Sequence, residues 1–312
     1  MTATKLLGPA RLGRAFATMA ALLLAASTSA EEAPAAPTTS GALPEAAGEP
    51  SPPTPPTPIE EVAPTAAPVP PGSDLLAEYP FRSGERLTYD ITVLGAVAGR
   101  GTLSVGKPRT WNGVEVLPVH GMMASHGFWD NVYRVRNRML SLMPRQGAYP
   151  LHTEMSLDQN GASRDMSLDF DPATGQLRGE RSENKGETKK VTAKVPAFTQ
   201  DALSWFYHLR SRTLTTGSGF SFKGYSGKFV YTVYCRIGEV EEVWTRVGML
   251  PAYRIEADIR RDGNKDFRRN VTFWIGNDAD HLPIKMSFDF TVGRVEGILT
   301  SAVLPPRTTA SR

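Results

Sequence analysis

The residue types of a hydrolytic triad occur within one short segment of this 312-residue chain. Asp201, Ser204 and His208 share one face of a predicted helix. In a triad the histidine reaches the serine while a third group orients its second ring nitrogen, and these groups normally come from separate elements. The sequence also lacks the G-x-S-x-G turn that exposes a nucleophilic serine. We therefore expect Asp201 to stabilise the start of the helix, and we assign no catalytic residue.

Metal chemistry finds no support in the spacing of the histidines. None of the five belongs to an H-E-x-x-H motif. His152 and Glu154 would point the same way from a strand, but no third ligand accompanies them. The acidic run Asp278 to His281 lacks the spaced oxygen ligands and the glycine of a calcium loop. We predict no metal and no cofactor.

Three arginines at alternate positions are better candidates for binding. Arg134, Arg136 and Arg138 would form a ladder on one strand face, and guanidinium groups suit bidentate recognition of phosphate or carboxylate. The alternative is a solvent face whose arginines pair with acidic residues of neighbouring strands. Both interpretations stay open at this point.

Aromatic residues supply a second set of candidates, since they could line a pocket for an apolar ligand or pack a core. Together with the arginines they give a predicted ligand-binding set, comprising Tyr89, Tyr133, Arg134, Arg136, Arg138, Trp205, Tyr207, Arg210 and Trp274.

The elements that must position these residues follow a two-residue hydrophobic period. Leu282 to Val292 alternates apolar and polar side chains, and so do the segments 151–158 and 253–260. This alternation predicts an antiparallel sheet with one wetted face. Asn160-Gly161 between two such runs is a hairpin signal. We predict a mainly β fold, with one large curved antiparallel sheet or an incomplete barrel.

One segment departs from that period. Phe198 to Leu214 spaces Ala202, Leu203, Phe206, Leu209 and Thr213 for one helical face, so we predict a single α-helix packed on the sheet. Thr199 is the expected N-cap, and a negative charge at Asp201 suits the first turn.

The amino-terminal region predicts export. Lys5, Arg11 and Arg14 precede an apolar run that ends in small residues, which is typical of a cleaved signal peptide over residues 1–30. Thirteen of the 25 prolines lie between Pro34 and Pro71, so 31–73 should be an extended linker. A β domain over 74–305 and a flexible tail over 306–312 complete the predicted organisation, with no transmembrane span after cleavage.

The single cysteine and the net charge limit the kinds of anchor and binding partner that we expect. No cysteine follows the apolar run, so no lipid anchor is expected there, and Cys235 alone cannot form an internal disulfide and is interpreted as buried filler. Residues 82–312 carry 32 basic and 24 acidic residues, a net charge of +8. That charge favours a lipid or another anionic envelope component. Nucleic acid is not expected in the predicted periplasmic compartment, and the oligomeric state stays open.

Three motifs in order resemble a known bacterial family. The chain resembles DUF3108, a bacterial domain of unknown function, in its opening, middle and closing motifs. The opening motif is Gly84-Glu85-Arg86-Leu87-Thr88-Tyr89 with Gly95 to Gly99, and the middle motif is the segment Asp201 to Arg210. The closing motif comprises the predicted strands around Phe273-Trp274-Ile275, Leu282-Pro283-Ile284-Lys285 and Gly293-Arg294-Val295. The resemblance covers about residues 78–303 and implies a signal-bearing envelope protein. A looser likeness to lipoprotein carriers implies a curved sheet whose concave face holds acyl chains.

Two functions from different classes therefore remain. The first is a non-enzymatic periplasmic protein that binds or carries a lipidic or amphipathic ligand on a concave sheet. The second is a structural or interaction module of the envelope with a filled core. A hydrolase of envelope polymers ranks third, because no converging acidic or nucleophilic groups are evident.

Overall fold

A computed structural model describes residues 75–76, 79–145, 147–290 and 293–307. The predicted signal peptide, the proline-rich linker and residues 308–312 of the predicted tail lie outside the described residues. Among the described residues, no helix has both the length and the apolar character needed to cross a bilayer.

Fifteen strands and two short helices make up this part of the chain. The strands are β1 Arg86–Val93, β2 Ala96–Val105, β3 Arg109–Trp111, β4 Val114–Ser125, β5 Val135–Pro144, β6 His152–Gln159, β7 Ala162–Phe170, β8 Gln176–Glu183, β9 Lys189–Lys194, β10 Gly219–Tyr225, β11 Val230–Thr245, β12 Gly248–Arg261, β13 Arg268–Gly276, β14 Pro283–Phe290 and β15 Gly293–Val303; the helices are α1 Phe128–Val132 and α2 Ser204–Arg210. The mainly β prediction is confirmed, and α1 is an addition to it.

All strands belong to one antiparallel sheet that stays open. Its order is β10-β11-β12-β13-β14-β15-β1-β2-β4-β5-β6-β7-β8-β9, with β3 paired to β4 beside this path. Gln200 pairs with Gly224 of the edge strand β10, and Arg181 of β8 donates to the carbonyl of Gly227 at 3.3 Å. Because these contacts connect the two ends of the sheet, the architecture is an incomplete barrel.

Local sequence signals account for the hairpins. Asn160 and Gly161 take positive φ values of 51° and 86° between β6 and β7. This is the conformation that a tight two-residue turn requires, and asparagine and glycine tolerate it best. On β6 the side chains of Met155 and Leu157 are buried while Glu154 is exposed, which is the predicted alternation.

The predicted helix over Phe198–Leu214 was too long. Helix α2 covers only Ser204–Arg210, because the residues before it form an extended connection that pairs with β10 through Gln200. Thr199 was wrong as the N-cap, since its hydroxyl donates to the Pro196 carbonyl instead. Asp201 takes that role, and its Oδ1 accepts the N–H groups of Leu203 at 2.8 Å and Ser204 at 2.6 Å.

The hairpin of β11 and β12 is the longest in the sheet, and its end folds over the outer face. A register shift between Ile237 and Val240 bends it. Beyond the bend, the Arg246 N–H donates to the carbonyl of Leu299 on β15 at 3.2 Å. We call residues 240–251 the hairpin tip. Its inward side buries Val243 in a second, smaller apolar cluster with Leu282 and Ile284, among others.

Cys235 lies within the main core as predicted. It is buried on β11, and desolvation raises the pKa of its thiol to about 12. A thiol with so high a pKa is inert, because the thiolate is the reactive form.

Candidate functional site

Helix α2 fills much of the space inside the incomplete barrel. All seven of its residues are buried. Trp205 makes edge-to-face contacts with Phe222 of β10 at 5.6 Å and Phe273 of β13 at 5.8 Å between ring centroids. Such aromatic pairs add about 0.5–1.5 kcal/mol to the burial of their area. The concave face of the sheet is therefore occupied by the protein's own aromatic side chains near Trp205.

One apolar cavity remains between α2 and the sheet. Its volume is about 80 Å³, and its roof is formed by Leu203 and Phe206. The floor comes from β1, β2, β4, β5, β13, β14 and β15, and four methionines line the cavity, which are Met122, Met123, Met139 and Met286. Methionine side chains are unbranched and adapt their shape to a neighbour. The cavity therefore has walls that can change shape.

Two glycines of the floor leave this space open. The register places Gly101 of β2 beside Tyr89, and Gly297 of β15 beside Ile91. A Cβ atom at either glycine would meet the Ile91 Cδ1 at 3.5 or 3.6 Å, which is ordinary contact. Alanine would fit at both positions. The glycines are thus required by neither steric crowding nor a positive φ, and their effect is to keep the cavity empty.

The lining includes four polar residues, which are Tyr89, Thr102, Asn137 and Lys285. Asn137 of β5 is 5% exposed, and neither atom of its amide has a hydrogen-bond partner among the described residues. The Tyr89 hydroxyl likewise has none there. Burial raises the pKa of Tyr89 well above its ordinary value, so the hydroxyl stays neutral. Leaving such groups without a partner costs about 1–3 kcal/mol each.

A buried ion pair fixes the end of α2 to the sheet. Arg210 donates to both oxygens of Glu85 at 2.5 and 2.8 Å, and both side chains are fully buried. A third bond joins Arg210 to the carbonyl of Asp280 at 3.0 Å. The guanidinium carbon also lies 5.6 Å from the Phe81 ring and 5.3 Å from the Tyr207 ring. These contacts hold the helix that roofs the cavity.

Four predicted residues come together around α2. Tyr89 lines the cavity, and Trp205, Tyr207 and Arg210 belong to the helix. The charges of Arg210 and Glu85 act on both tyrosine hydroxyls, which places them in one electrostatic environment. Burial is the main cause of the raised pKa of Tyr207.

The predicted arginine ladder lies away from that group, with Arg134 just before β5 and Arg136 and Arg138 on that strand. Arg136 pairs with Asp130 at 2.6 Å, and Arg134 lies 3.7 Å from Asp158. Arg138 faces an open groove that Glu154 and Glu180 also line. Because Arg181 and His120 line the same groove, its surroundings are of mixed charge, and the anion site stays a prediction.

The last two predicted residues also lie apart from the cavity. Tyr133 caps the end of α1 and is half-buried against the main core. Trp274 faces outward from β13 beneath the hairpin tip, where its indole N–H donates to Glu241. The Nζ of Lys285 lies 5.1 Å from the Trp274 ring.

Asp201 and Ser204, two of the three residues considered as a catalytic triad, cap the start of α2. The Ser204 hydroxyl accepts the backbone N–H of Asp201 at 2.9 Å, while Asp201 accepts the N–H of Ser204. His208 lies one turn further on, with its Nε2 3.4 Å from Arg212. Desolvation, with a smaller contribution from Arg212, lowers the pKa of His208 to about 3. Ser204 and Asp201 thus form a reciprocal cap, and nothing in this segment points to catalysis.

Sequence reasoning missed Asn137, Glu85 and the two floor glycines. Asn137 could have been found, because it stands between Val135 and Met139 at an inward position of an alternating strand. Gly101 and Gly297 carry no such signal. Their importance depends on the side chains that neighbouring strands place beside them.

Comparison with known proteins gives a family and no activity. Residues 88–300 match the family DUF3108, described as a protein of unknown function. This match confirms the family resemblance in the sequence, whereas the likeness to lipoprotein carriers stays a prediction. No curated protein matches the chain.

Solved structures with a similar outline are distant in sequence. A β-barrel-like protein of the domain of unknown function DUF1849 from Brucella abortus has a TM-score of 0.46 and 10% identity, over 72% of this chain and 98% of that chain. A candidate lipoprotein from Parabacteroides distasonis has a TM-score of 0.34 and 8% identity, over 72% and 99%. A candidate exported protein with a YmcC-like fold from Bacteroides fragilis has a TM-score of 0.33 and 7% identity, over 72% of this chain and 98% of that chain. The site must therefore be interpreted from its own geometry.

Proposed function

The chain belongs to the family of proteins of unknown function DUF3108, and from this premise we propose that it is a non-enzymatic envelope protein that binds an apolar or amphipathic ligand in the cavity beneath α2. The observation that carries the proposal is the apolar cavity kept open by Gly101 and Gly297. A core selected for stability alone would fill such a space, because empty volume forfeits dispersion contacts.

The size of the cavity limits what enters it at rest. A volume of about 80 Å³ is well below the roughly 300 Å³ of ordinary ligand pockets. A ligand therefore enters by its apolar end, and Met123, Met139 and Met286 rotate to admit it. Tyr89, Leu103 and Met286 line the cavity and are only partly buried, so the space is accessible from outside.

The test is a titration of the purified chain with the uncharged dye N-phenyl-1-naphthylamine, read by fluorescence. The rings of the dye exceed the empty volume, so saturable binding also reports that the methionine side chains give way. We expect saturable binding by the wild type. Each methyl group added at Gly101→Ala and Gly297→Ala takes up about 30 Å³, a volume close to that of one water molecule. The double variant should bind about tenfold more weakly, a loss of about 1.4 kcal/mol.

The same double variant should gain up to about 1 kcal/mol of unfolding free energy, because alanine fills the void and stiffens the unfolded chain. Gly224→Ala is the matched control, since its Cβ also meets only an ordinary contact, at 3.9 Å from the Gln200 carbonyl, and it lies away from the cavity. It should leave dye binding unchanged. Unchanged binding by the double variant would contradict the proposal.

A second candidate is an interaction module that contacts a membrane surface through the apolar side chains of the hairpin tip. Four large apolar side chains of the tip are exposed, namely Val240, Trp244, Val247 and Met249. The guanidinium of Arg246 lies 5.7 Å from the Trp244 ring. Tryptophan beside a basic residue suits the boundary between lipid and water. The aromatic packing of Trp205 against Phe222 and Phe273 also agrees with this function.

A further inference from the structure

The amide of Asn137 needs an explanation that the fold does not supply. Its cross-strand neighbours are Met123 of β4 and Leu157 of β6, and Val135 and Met139 flank it on the same face. All four are buried apolar residues. Buried amides in proteins are normally hydrogen-bonded, and those without a partner mark a functional role or a bound group. This amide lines the cavity, where a ligand could reach it.

A second hydrogen-bonding group lines the same cavity from another strand. The Tyr89 hydroxyl on β1 is separated from Asn137 by strands β2 and β4. Three strand spacings of about 4.8 Å place the two residues about 14 Å apart across the sheet. The cavity therefore has an uncharged hydrogen-bonding group on each side, the Tyr89 hydroxyl and the Asn137 amide, with apolar side chains between them.

The charged groups nearby are already neutralised by partners of opposite sign. Lys285, the charged residue of the lining, contacts Glu296 at 2.8 Å, and Arg210 of α2 is bound by Glu85. No ionised side chain of the lining is left to pair with a charged head group. Taking an unpaired charge out of water is strongly unfavourable, whereas a hydroxyl or carbonyl needs only a hydrogen bond.

We propose that the ligand is an uncharged amphiphile whose hydroxyl or ester carbonyl bonds to the Asn137 amide while its chain packs against the methionines. This inference rests on the proposed function and narrows its ligand class. It excludes ionised fatty acids as the preferred ligand and favours chains that end in a neutral oxygen-bearing group.

The experiment compares 1-monoolein with oleate as competitors of N-phenyl-1-naphthylamine at about pH 8, where oleate is ionised. The wild type should bind monoolein at least tenfold more tightly than oleate. Asn137→Leu, which keeps the branched outline of the side chain and replaces the polar atoms by larger methyl groups, should lose about tenfold in affinity for monoolein. Dye binding by this variant should stay as in the wild type.

Asn270→Leu is the matched control, because Asn270 is exposed on β13 and should change neither ligand's affinity. The melting temperature of ligand-free Asn137→Leu should rise, which separates a binding defect from misfolding. Failure of the wild type to bind the dye would refute the proposed function itself. Dye binding with equal affinity for oleate and monoolein, or with no effect of Asn137→Leu, would refute this inference alone.

Discussion

Breaking the buried ion pair between Glu85 and Arg210 should destabilise the protein, and the loss should be larger when Glu85 is replaced than when Arg210 is replaced. Both side chains are fully buried and joined by two hydrogen bonds. Glu85→Leu leaves a guanidinium that cannot lose its proton, so we expect the full cost of an uncompensated buried charge, about 3–5 kcal/mol. Arg210→Met leaves a carboxylate that can take up a proton instead. Its cost should therefore be smaller at neutral pH.

The double variant Glu85→Leu/Arg210→Met should recover much of this loss, because two apolar side chains replace two charges. Urea unfolding followed by tryptophan fluorescence would give the four free energies of the cycle. We expect a coupling free energy of about 2 kcal/mol or more. Additive effects of the two substitutions, or a loss below about 1 kcal/mol for Glu85→Leu, would show that the pair does not hold α2 on the sheet.

Two further predictions concern acid stability and the hairpin tip. His208 is buried with a pKa of about 3, below its unfolded value of about 6.5. Above about pH 6.5 the imidazole is neutral in both the folded and the unfolded chain, and the protein has its full free energy of unfolding. As the pH falls from there toward 3, only the unfolded chain takes up the proton, so the free energy of unfolding decreases. Wild type should lose about 2 kcal/mol more than His208→Gln between pH 7 and pH 5, measured by urea unfolding; parallel losses would contradict it. Trp244→Ser/Met249→Ser should reduce co-sedimentation with phosphatidylcholine vesicles severalfold, while the free energy of unfolding stays within about 0.5 kcal/mol of wild type. Undiminished co-sedimentation would remove the second candidate function.

The proposed ligand site shows where pattern reasoning succeeds. Tyr89 and Asn137 both stand at inward positions of alternating strands, so their facing the interior follows from the two-residue period alone. The hairpin at Asn160-Gly161 follows from local turn chemistry, and family membership follows from the order of three motifs. These features depend on residues close together in the chain.

The role of α2 could not be derived in this way. The pattern from Phe198 to Leu214 contained apolar residues at helical spacing, but pairing of Gln200 with Gly224 of β10 holds the first part of the segment extended. That competition is decided by a distant strand. Its result sets the helix length and thereby the position of the cavity roof.

The sequence by itself determined the class of fold, several hairpins, the alternation of strands such as β6 and β12, and the family. Tertiary structure alone decided that Glu85 meets Arg210, 125 positions away, and that Gly101 and Gly297 lie on either side of β1. The physical reason is the range of the forces involved. Alternation and turn preferences act between neighbouring residues, whereas a cavity or a buried ion pair exists only after strands remote in sequence have been brought into register.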